Sequence, residues 1–190
     1  GRVTDLAVDP TRPDTVWVAA ASGGVWRSDD AGATVQPAWP DDLTPAIGAL
    51  AVTVDGVLFA GTGEANPGGG SFTFGGTGVY RSSDAGATWE QVGLDDTAAF
   101  GRILVHPTDP DVIWAAAAGH LYLPGGQRGL YRSTDGGDSW ELVLEGLNDT
   151  TGAVDLAMDP TDPDRVYVAM WDHLREPEIR TYGGVGSGLW

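Results

Sequence analysis

The segment Arg132-Ser133-Thr134-Asp135-Gly136-Gly137-Asp138-Ser139-Trp140 decides the fold, because the chain contains two earlier copies of it. The copies begin at Arg27 and Arg81, so the motif recurs about every 50 residues. A repeat of this period indicates one supersecondary unit copied along the chain, which is stable only when it stacks on its neighbours. Within the motif, Asp can accept hydrogen bonds from the turn backbone, and glycine supplies a positive φ.

Four short strand signals, which we label A to D, make up each copy of the unit. In the third copy they are 101–105, 112–117, a strand that opens at Gly129, and 140–144. Pairs of prolines separate A from B, as in 106–111, and interrupt strand pairing there. The motif connects C to D. Four-stranded antiparallel units of this period are typical of β-propeller blades, and no segment shows helical periodicity.

The sequence therefore predicts an all-β chain that forms a single β-propeller region. Its four-stranded antiparallel blades should lie at about 1–42, 43–96 and 97–149, followed by an incomplete fourth blade at 150–190. Closed rings of about four to eight blades protect their strand edges. We therefore expect a partial ring, completed by further blades or by self-association.

The pattern Ser/Thr-x-Asp-x-Gly-x-Thr/Ser-Trp resembles the Asp-box of bacterial neuraminidase repeat (BNR) propellers. That group includes sialidases, xyloglucan-cleaving glycosidases, sortilin-type receptor ectodomains and a photosystem II assembly factor. The whole chain is similar to bacterial repeat proteins described as sortilin-like or as glycosyl hydrolases. The resemblance implies the fold and leaves the chemistry open. Structural roles are expected for the box residues Asp30, Asp84, Asp135, Gly32, Gly86, Gly137, Trp89 and Trp140; the first box has Val35 in place of Trp.

Composition narrows the function classes. The formal charge is −17, and the ten basic residues are all arginine, so binding to nucleic acid or anionic lipid is disfavoured. Much of this charge also follows from the use of Asp in turns. The chain has no cysteine, which excludes disulfides and thiolate catalysis. We predict no cofactor, no metal site and no membrane insertion, and a bacterial extracellular or cell-envelope location with any targeting segment preceding Gly1.

Functional residues are expected on one face of the propeller. Because strands alternate in direction, the A–B turns and Asp-boxes share one face, here called the box face. The B–C and D–A connections share the other, here called the loop-rich face. Its B–C connections vary greatly in length, and such loops on a regular scaffold usually carry binding sites. Candidate ligand contacts on them are Asn66, Phe72, Phe74, His120, Tyr122, Trp171, His173 and Tyr182.

Three charged residues share one register. Asp5, Arg102 and Asp155 stand at the same spacing before the first proline of their A–B turns. They should converge at the central channel on the loop-rich face. Asp5, Asp155 and the loop residue Glu64 are candidate catalytic carboxylates, with Arg102 as a ligand contact. Glycoside hydrolysis needs a carboxylate pair, although a salt bridge between blades would use the same residues.

Two functions remain open. The first is a binding or scaffolding propeller whose loop-rich face recognises a glycan or a peptide, with aromatic side chains against the ligand. The second is a glycoside hydrolase of the same fold that uses a carboxylate pair on that face. We favour binding, because neither spacing nor a local motif marks such a pair.

Overall fold

The computed structural model describes residues 2–65, 74–175 and 180–190. Within these ranges the chain is all-β and folds into antiparallel sheets that follow one another along the sequence, as the repeat predicts. The same ranges contain no helix with the length and apolar character that a membrane crossing requires.

Three four-stranded sheets precede a three-stranded one. The first contains β1 (Val3–Val8), β2 (Val16–Ala20), β3 (Gly24–Ser28) and β4 (Gln36–Pro37). The second contains β5 (Ile47–Val52), β6 (Leu58–Thr62), β7 (Val79–Ser82) and β8 (Glu90–Gln91). The third contains β9 (Phe100–Val105), β10 (Ile113–Ala117), β11 (Gly129–Ser133) and β12 (Glu141–Leu144). The fourth contains β13 (Thr151–Asp159), β14 (Asp162–Asp172) and β17 (Gly188–Leu189), with a separate hairpin of β15 (Leu174–Arg175) and β16 (Arg180–Thr181).

The sheets stack as the blades of a β-propeller. The first strands β1, β5, β9 and β13 contact one another in sequence and so form the inner edges of the blades. Apolar cores fill the spaces between successive blades, as expected of strands covered on both faces. They centre on Trp17 with Leu58, on Phe59 with Ile103, and on Trp114 with Leu156. Within the described residues the arc of blades does not close into a ring.

The fourth blade departs from the predicted A–B turn. We expected its two prolines to exclude strand structure, but β13 continues to Asp159 and β14 already begins at Asp162, so Pro163 lies inside a strand. The register explains this difference. Asp159 pairs with Asp162 and Met158 with Val166, so the residues between are bulged out of the ladder. Proline is tolerated there because no ladder hydrogen bond needs its missing N–H.

The three Asp-boxes connect the third and fourth strands of their blades and share one geometry. In the second box, the Ser82 hydroxyl donates to Asp84 Oδ1 at 2.8 Å and accepts the Gly86 N–H at 2.9 Å. Asp84 also accepts the N–H and the hydroxyl of Thr88, at 2.8 and 2.6 Å. The same bonds form in the other two boxes. Ala85 and Gly86 have φ of 63° and 91°, which only a tight turn requires.

The box tryptophans Trp89 and Trp140 each contact the blade that precedes their own. The indole N–H of Trp89 donates to the Ala38 carbonyl at 2.8 Å, and that of Trp140 to the Val92 carbonyl at 2.9 Å. Both rings are partly buried, less than the deep burial expected for a core tryptophan. Val35 of the first box is 54% exposed. The Asp-box is therefore both a turn and a joint between blades.

Each inner strand contains a bulge at the same position. Thr4, Gly48, Gly101 and Val154 have no partner in the register of β1, β5, β9 and β13. The bulge approaches the next blade closely. A Cβ on Gly101 would lie 1.9 Å from the Val154 carbonyl oxygen, and the Thr4 hydroxyl donates to the Ile47 carbonyl at 2.7 Å. These bulges place the next residue of each strand at the channel end of the loop-rich face.

Candidate functional site

Two of the clefts on the loop-rich face are lined by predicted site residues. The first, here called the aromatic cleft, has a volume of about 180 Å³ and lies between the second and third B–C connections. It is lined by Glu64, Phe74, Gly75, Ala98, His120, Leu121, Tyr122 and Leu123. The second, here called the channel cleft, has a volume of about 300 Å³ and lies over the bulges of the inner strands. Its charged lining residues are Arg2, Glu64, Arg102 and Asp155.

The three residues of shared register do converge at the channel. Arg102 Nη1 donates to Asp5 Oδ1 and Arg102 Nε donates to Asp155 Oδ1, both at 3.1 Å. The exposed fractions of the side chains are 38% for Arg102, 11% for Asp5 and 59% for Asp155. The cluster is thus a salt bridge between blades that still presents Arg102 and Asp155 to solvent.

Arg102 reaches across an intervening blade to make this cluster. Asp5, Arg102 and Asp155 belong to the first, third and fourth blades, and the second blade contributes Ala49 at the same position after its bulge. Ala49 is fully buried and has only a methyl group. The second blade therefore carries no side chain that competes for the guanidinium. Asp5 is further fixed by accepting the Leu50 N–H at 3.0 Å.

Glu64 joins the two clefts. It follows β6 and forms an isolated parallel bridge with Phe100, which brings the B–C connection of the second blade against the third. Its carboxylate forms an ion pair with Arg2, and its side chain is only 8% exposed, against 43% for Arg2. A buried carboxylate needs such a partner, because desolvation without one is costly. Glu64 is the one candidate carboxylate that lines both clefts.

Apolar side chains form the walls of the aromatic cleft. Phe74, Tyr122 and Leu123 are 55%, 51% and 59% exposed, which is unusual for three neighbouring large apolar residues. At the same cleft, His120 Nε2 lies 3.3 Å from Asp96 Oδ1, a residue of the D–A connection. The cleft combines a hydrophobic surface with one buried charge and one imidazole.

Arg128 holds the third B–C connection in place. Its guanidinium donates to the carbonyls of Ala118, Thr150, His120, Leu123 and Gly125 at 2.5 to 3.3 Å. The residue is only 5% exposed, and burial lowers the pKa of its guanidinium. Two of these carbonyls flank Tyr122, so Arg128 sets the shape of the aromatic cleft wall. Arg128 was not among the predicted site residues, since its partners are backbone carbonyls, which carry no sequence signature.

A third group of candidates lies outside both clefts. The rings of Trp171 and His173 stack at 4.3 Å between centroids, and the Trp171 indole N–H donates to the Tyr182 carbonyl at 3.0 Å. His173 is fully buried, and this burial lowers its pKa from 6.5 to about 4. These contacts join the described ends of the fourth B–C connection, away from both clefts.

Asn66 and Phe72 lie outside the described residues. In the described part of the chain, no group of three or more His, Asp or Glu side chains is arranged to hold a metal ion. The box carboxylates face their own turns on the box face. Hydrogen bonds from Thr88 and Ser82 lower the pKa of Asp84 from 3.8 to about 2, and bonds from Ser139 and Ser133 do the same for Asp135.

Comparison with known proteins agrees with this structure. Residues 131–142 match the BNR/Asp-box repeat family. A curated relative, the vacuolar protein sorting/targeting protein 10 of Sordaria macrospora, is 33% identical over 89 residues. That match covers 46% of this chain and 5% of the relative, so the chain spans a small fraction of its relative's length.

Solved structures share the fold at low sequence identity. An ancestral GH74 enzyme superposes with a TM-score of 0.70 at 21% identity, over 90% of this chain and 22% of the enzyme. The GH74 xyloglucanase of Xanthomonas campestris gives 0.68 at 23% identity, over 99% and 29%. YCF48, solved bound to the D1 peptide, gives 0.55 at 13% identity, over 95% and 52%. Together with the box geometry and the stacked four-stranded blades, these findings show that the chain has a β-propeller fold with Asp-box turns, similar to sortilin-like and GH74 proteins.

Proposed function

We propose that this chain is a ligand-binding propeller module whose loop-rich face holds an extended glycan or peptide. The observation that carries the proposal is that the aromatic and channel clefts adjoin through Glu64. A ligand that extends over both would contact apolar walls at one end and fixed charges at the other. Sites of this kind use apolar area for affinity and a few polar groups for orientation.

Relatives of the same fold support a polymeric ligand. One structural neighbour is a xyloglucanase and another was solved with a bound peptide, so both ligand classes occur on this architecture. The formal charge of −17 argues against nucleic acid as the ligand. We further propose an extracellular or cell-envelope setting, and completion of the ring by further blades or by a second copy.

A glycoside hydrolase is the second candidate, because Glu64 and Asp155 line the same channel cleft. Hydrolysis requires one carboxyl group to be protonated so that it can act as the acid. Glu64 pairs with Arg2 and Asp155 pairs with Arg102. Both carboxylates are already held in ion pairs with arginines of this chain, and such fixed charges suit ligand orientation better than acid–base catalysis, so we place binding first.

Parallel arrays of glycans and of random peptides test the proposal. We expect the chain to bind members of one array, and Tyr122→Ala to weaken that binding at least about tenfold by removing a cleft wall. Val35→Ala, on the box face, is the matched control and should leave binding unchanged. Failure to bind either array, or equal effects of the two substitutions, would contradict the proposal.

Incubation with xyloglucan oligosaccharides separates hydrolysis from binding. The binding interpretation predicts no new reducing ends with the unmodified chain. Release of reducing ends that is abolished by both Glu64→Gln and Asp155→Asn would instead establish the hydrolase.

A further inference from the structure

The two clefts differ in chemistry, and the difference restricts the ligand. The aromatic cleft is walled by Phe74, Tyr122 and Leu123, which offer mainly apolar contact. The carboxylate of Glu64 lies where this cleft meets the channel cleft, and its side chain is only 8% exposed. A buried carboxylate is satisfied best by a cation held at hydrogen-bond distance.

In the structure that cation is Arg2. The Arg2 side chain is 43% exposed and approaches Glu64 from the segment that precedes β1. The Arg2 carbonyl accepts the Ala21 N–H at 2.9 Å, so the backbone of this segment is held by the first blade independently of the side chain. Arg2 therefore occupies, from within the chain, the position that a basic group of a ligand would take.

We propose that the ligand is an extended peptide in which a large apolar residue adjoins an arginine or lysine. The apolar side chain enters the aromatic cleft, and the basic group replaces Arg2 on Glu64. This inference rests on the proposed function and adds the ligand class to it.

A peptide fits these features better than a glycan. Sugar hydroxyls are neutral, so a glycan that displaced Arg2 would leave the buried Glu64 without a charged partner, at a high cost in desolvation. A basic side chain exchanges one cation for another. The surplus of negative charge on the chain, −17 in all, also attracts a basic peptide and speeds its association.

The probe is a fluorescein-labelled dodecapeptide of glycine and serine with a central Leu-Arg pair. Two comparison peptides replace the pair with Leu-Gln or with Ser-Arg. Fluorescence polarisation at low and high salt should show binding of the Leu-Arg peptide that weakens as salt rises, and at least about tenfold weaker binding of both comparison peptides.

Three variants locate the basic group. Glu64→Gln should weaken binding of the Leu-Arg peptide at least about tenfold and reduce its salt dependence. Arg2→Ala should strengthen it at least about threefold, because the internal competitor is gone. Arg27→Ala is the matched control, since it removes an arginine paired to Asp29 on the box face, and it should have no effect. If Arg2→Ala does not fold, Arg2→Gln carries the same prediction.

The outcomes separate the peptide inference from the proposed ligand-binding function on which it rests. Equal binding of all three peptides, or binding that Arg2→Ala weakens, overturns the inference. If the peptides fail but a glycan binds in a Tyr122-dependent way, the binding function stands and the peptide inference falls. If no peptide and no glycan binds, both fall.

Discussion

At the scale of single residues, the Asp-box shows how far local sequence determines structure. Ser, Asp, Gly and a final Thr or Ser bond to one another within seven positions, so the same bonds recur in all three boxes. Contacts between distant segments are less accessible to sequence. His173 was predicted as a ligand contact, yet it is fully buried, because packing of the fourth B–C connection against its neighbours decides its exposure.

The box tryptophan provides the first prediction. Trp89→Ala removes a partly buried ring and the hydrogen bond to the Ala38 carbonyl, and should lower the free energy of unfolding by about 3 kcal/mol. Val35→Ala alters the equivalent position of the first box, where the side chain is 54% exposed, and should change it by less than about 0.5 kcal/mol. Urea unfolding measures both, and similar values for the two variants would contradict the assigned role of Trp89.

Acid stability provides the second prediction. Burial lowers the pKa of His173 from 6.5 to about 4, so the unfolded chain takes up this proton at higher pH than the folded chain. The contribution of neutral His173 to the free energy of unfolding should therefore be retained above pH 6.5. The free energy of unfolding should fall by roughly 3 kcal/mol as the pH drops to about 4.

The box carboxylates affect stability at lower pH than His173 does. The pKa of Asp84 and Asp135 is lowered to about 2, so their contribution is complete above about pH 4 and disappears as the pH falls through 2. Urea unfolding between pH 8 and 2 measures both effects. His173→Phe should remove the pH dependence of the free energy of unfolding between about pH 6.5 and 4, and Asp84→Asn should reduce its pH dependence between about pH 4 and 2. A His173→Phe profile that parallels the unmodified chain above pH 4 would refute the burial argument.

At the scale of elements, repeat spacing was sufficient to place the strands of the first three blades and to predict that Asp5, Arg102 and Asp155 converge. The sequence did not predict that the two clefts meet at Glu64. Their meeting depends on the path of the connection after β6 and on its bridge to Phe100, which belongs to another blade. Loops of unequal length have no common register from which their contacts could be deduced.

Arg128 provides the element-scale prediction. Because its guanidinium binds carbonyls around the third B–C connection, Arg128→Ala should leave several of them unpaired and cost at least about 2 kcal/mol. Hydrogen exchange over residues 119–127 should accelerate more than exchange in β9 and β10. Arg128→Lys should not restore protection, since an ammonium has only three donors and no fork geometry. Unchanged exchange in this connection would show that Arg128 is not its anchor.

At the scale of the whole molecule, the outer faces of the first and last blades carry apolar residues at the positions that other blades bury against their neighbours. Leu6 is 58% exposed, whereas its equivalents after the bulges of the other blades, Leu50, Ile103 and Leu156, are 3%, 2% and 6% exposed. At the other end, Tyr167 is 42% exposed, while Trp17 and Trp114 at the same strand position are 0% and 4% exposed. The face with Leu6 therefore corresponds to the side that packs on a preceding blade. The face with Tyr167 corresponds to the side that packs on a following blade.

This complementarity predicts self-association of the 190-residue chain through unlike ends. Light scattering after size exclusion should show a mass that rises with concentration. Leu6→Glu should abolish the rise by placing a charge in the contact, whereas Val185→Glu, at an 83% exposed loop position, should not. A monomer at every concentration would mean that these faces do not pair with each other.

The central claim is that the loop-rich face binds ligand while the box face serves as scaffold. A crystal structure of the chain with the tightest-binding array ligand tests it most directly. The account predicts ligand density that passes over Glu64, with one end against Tyr122 and the other in the channel cleft beside Asp155. Density on the Asp-box turns, with both clefts free of ligand, would contradict it.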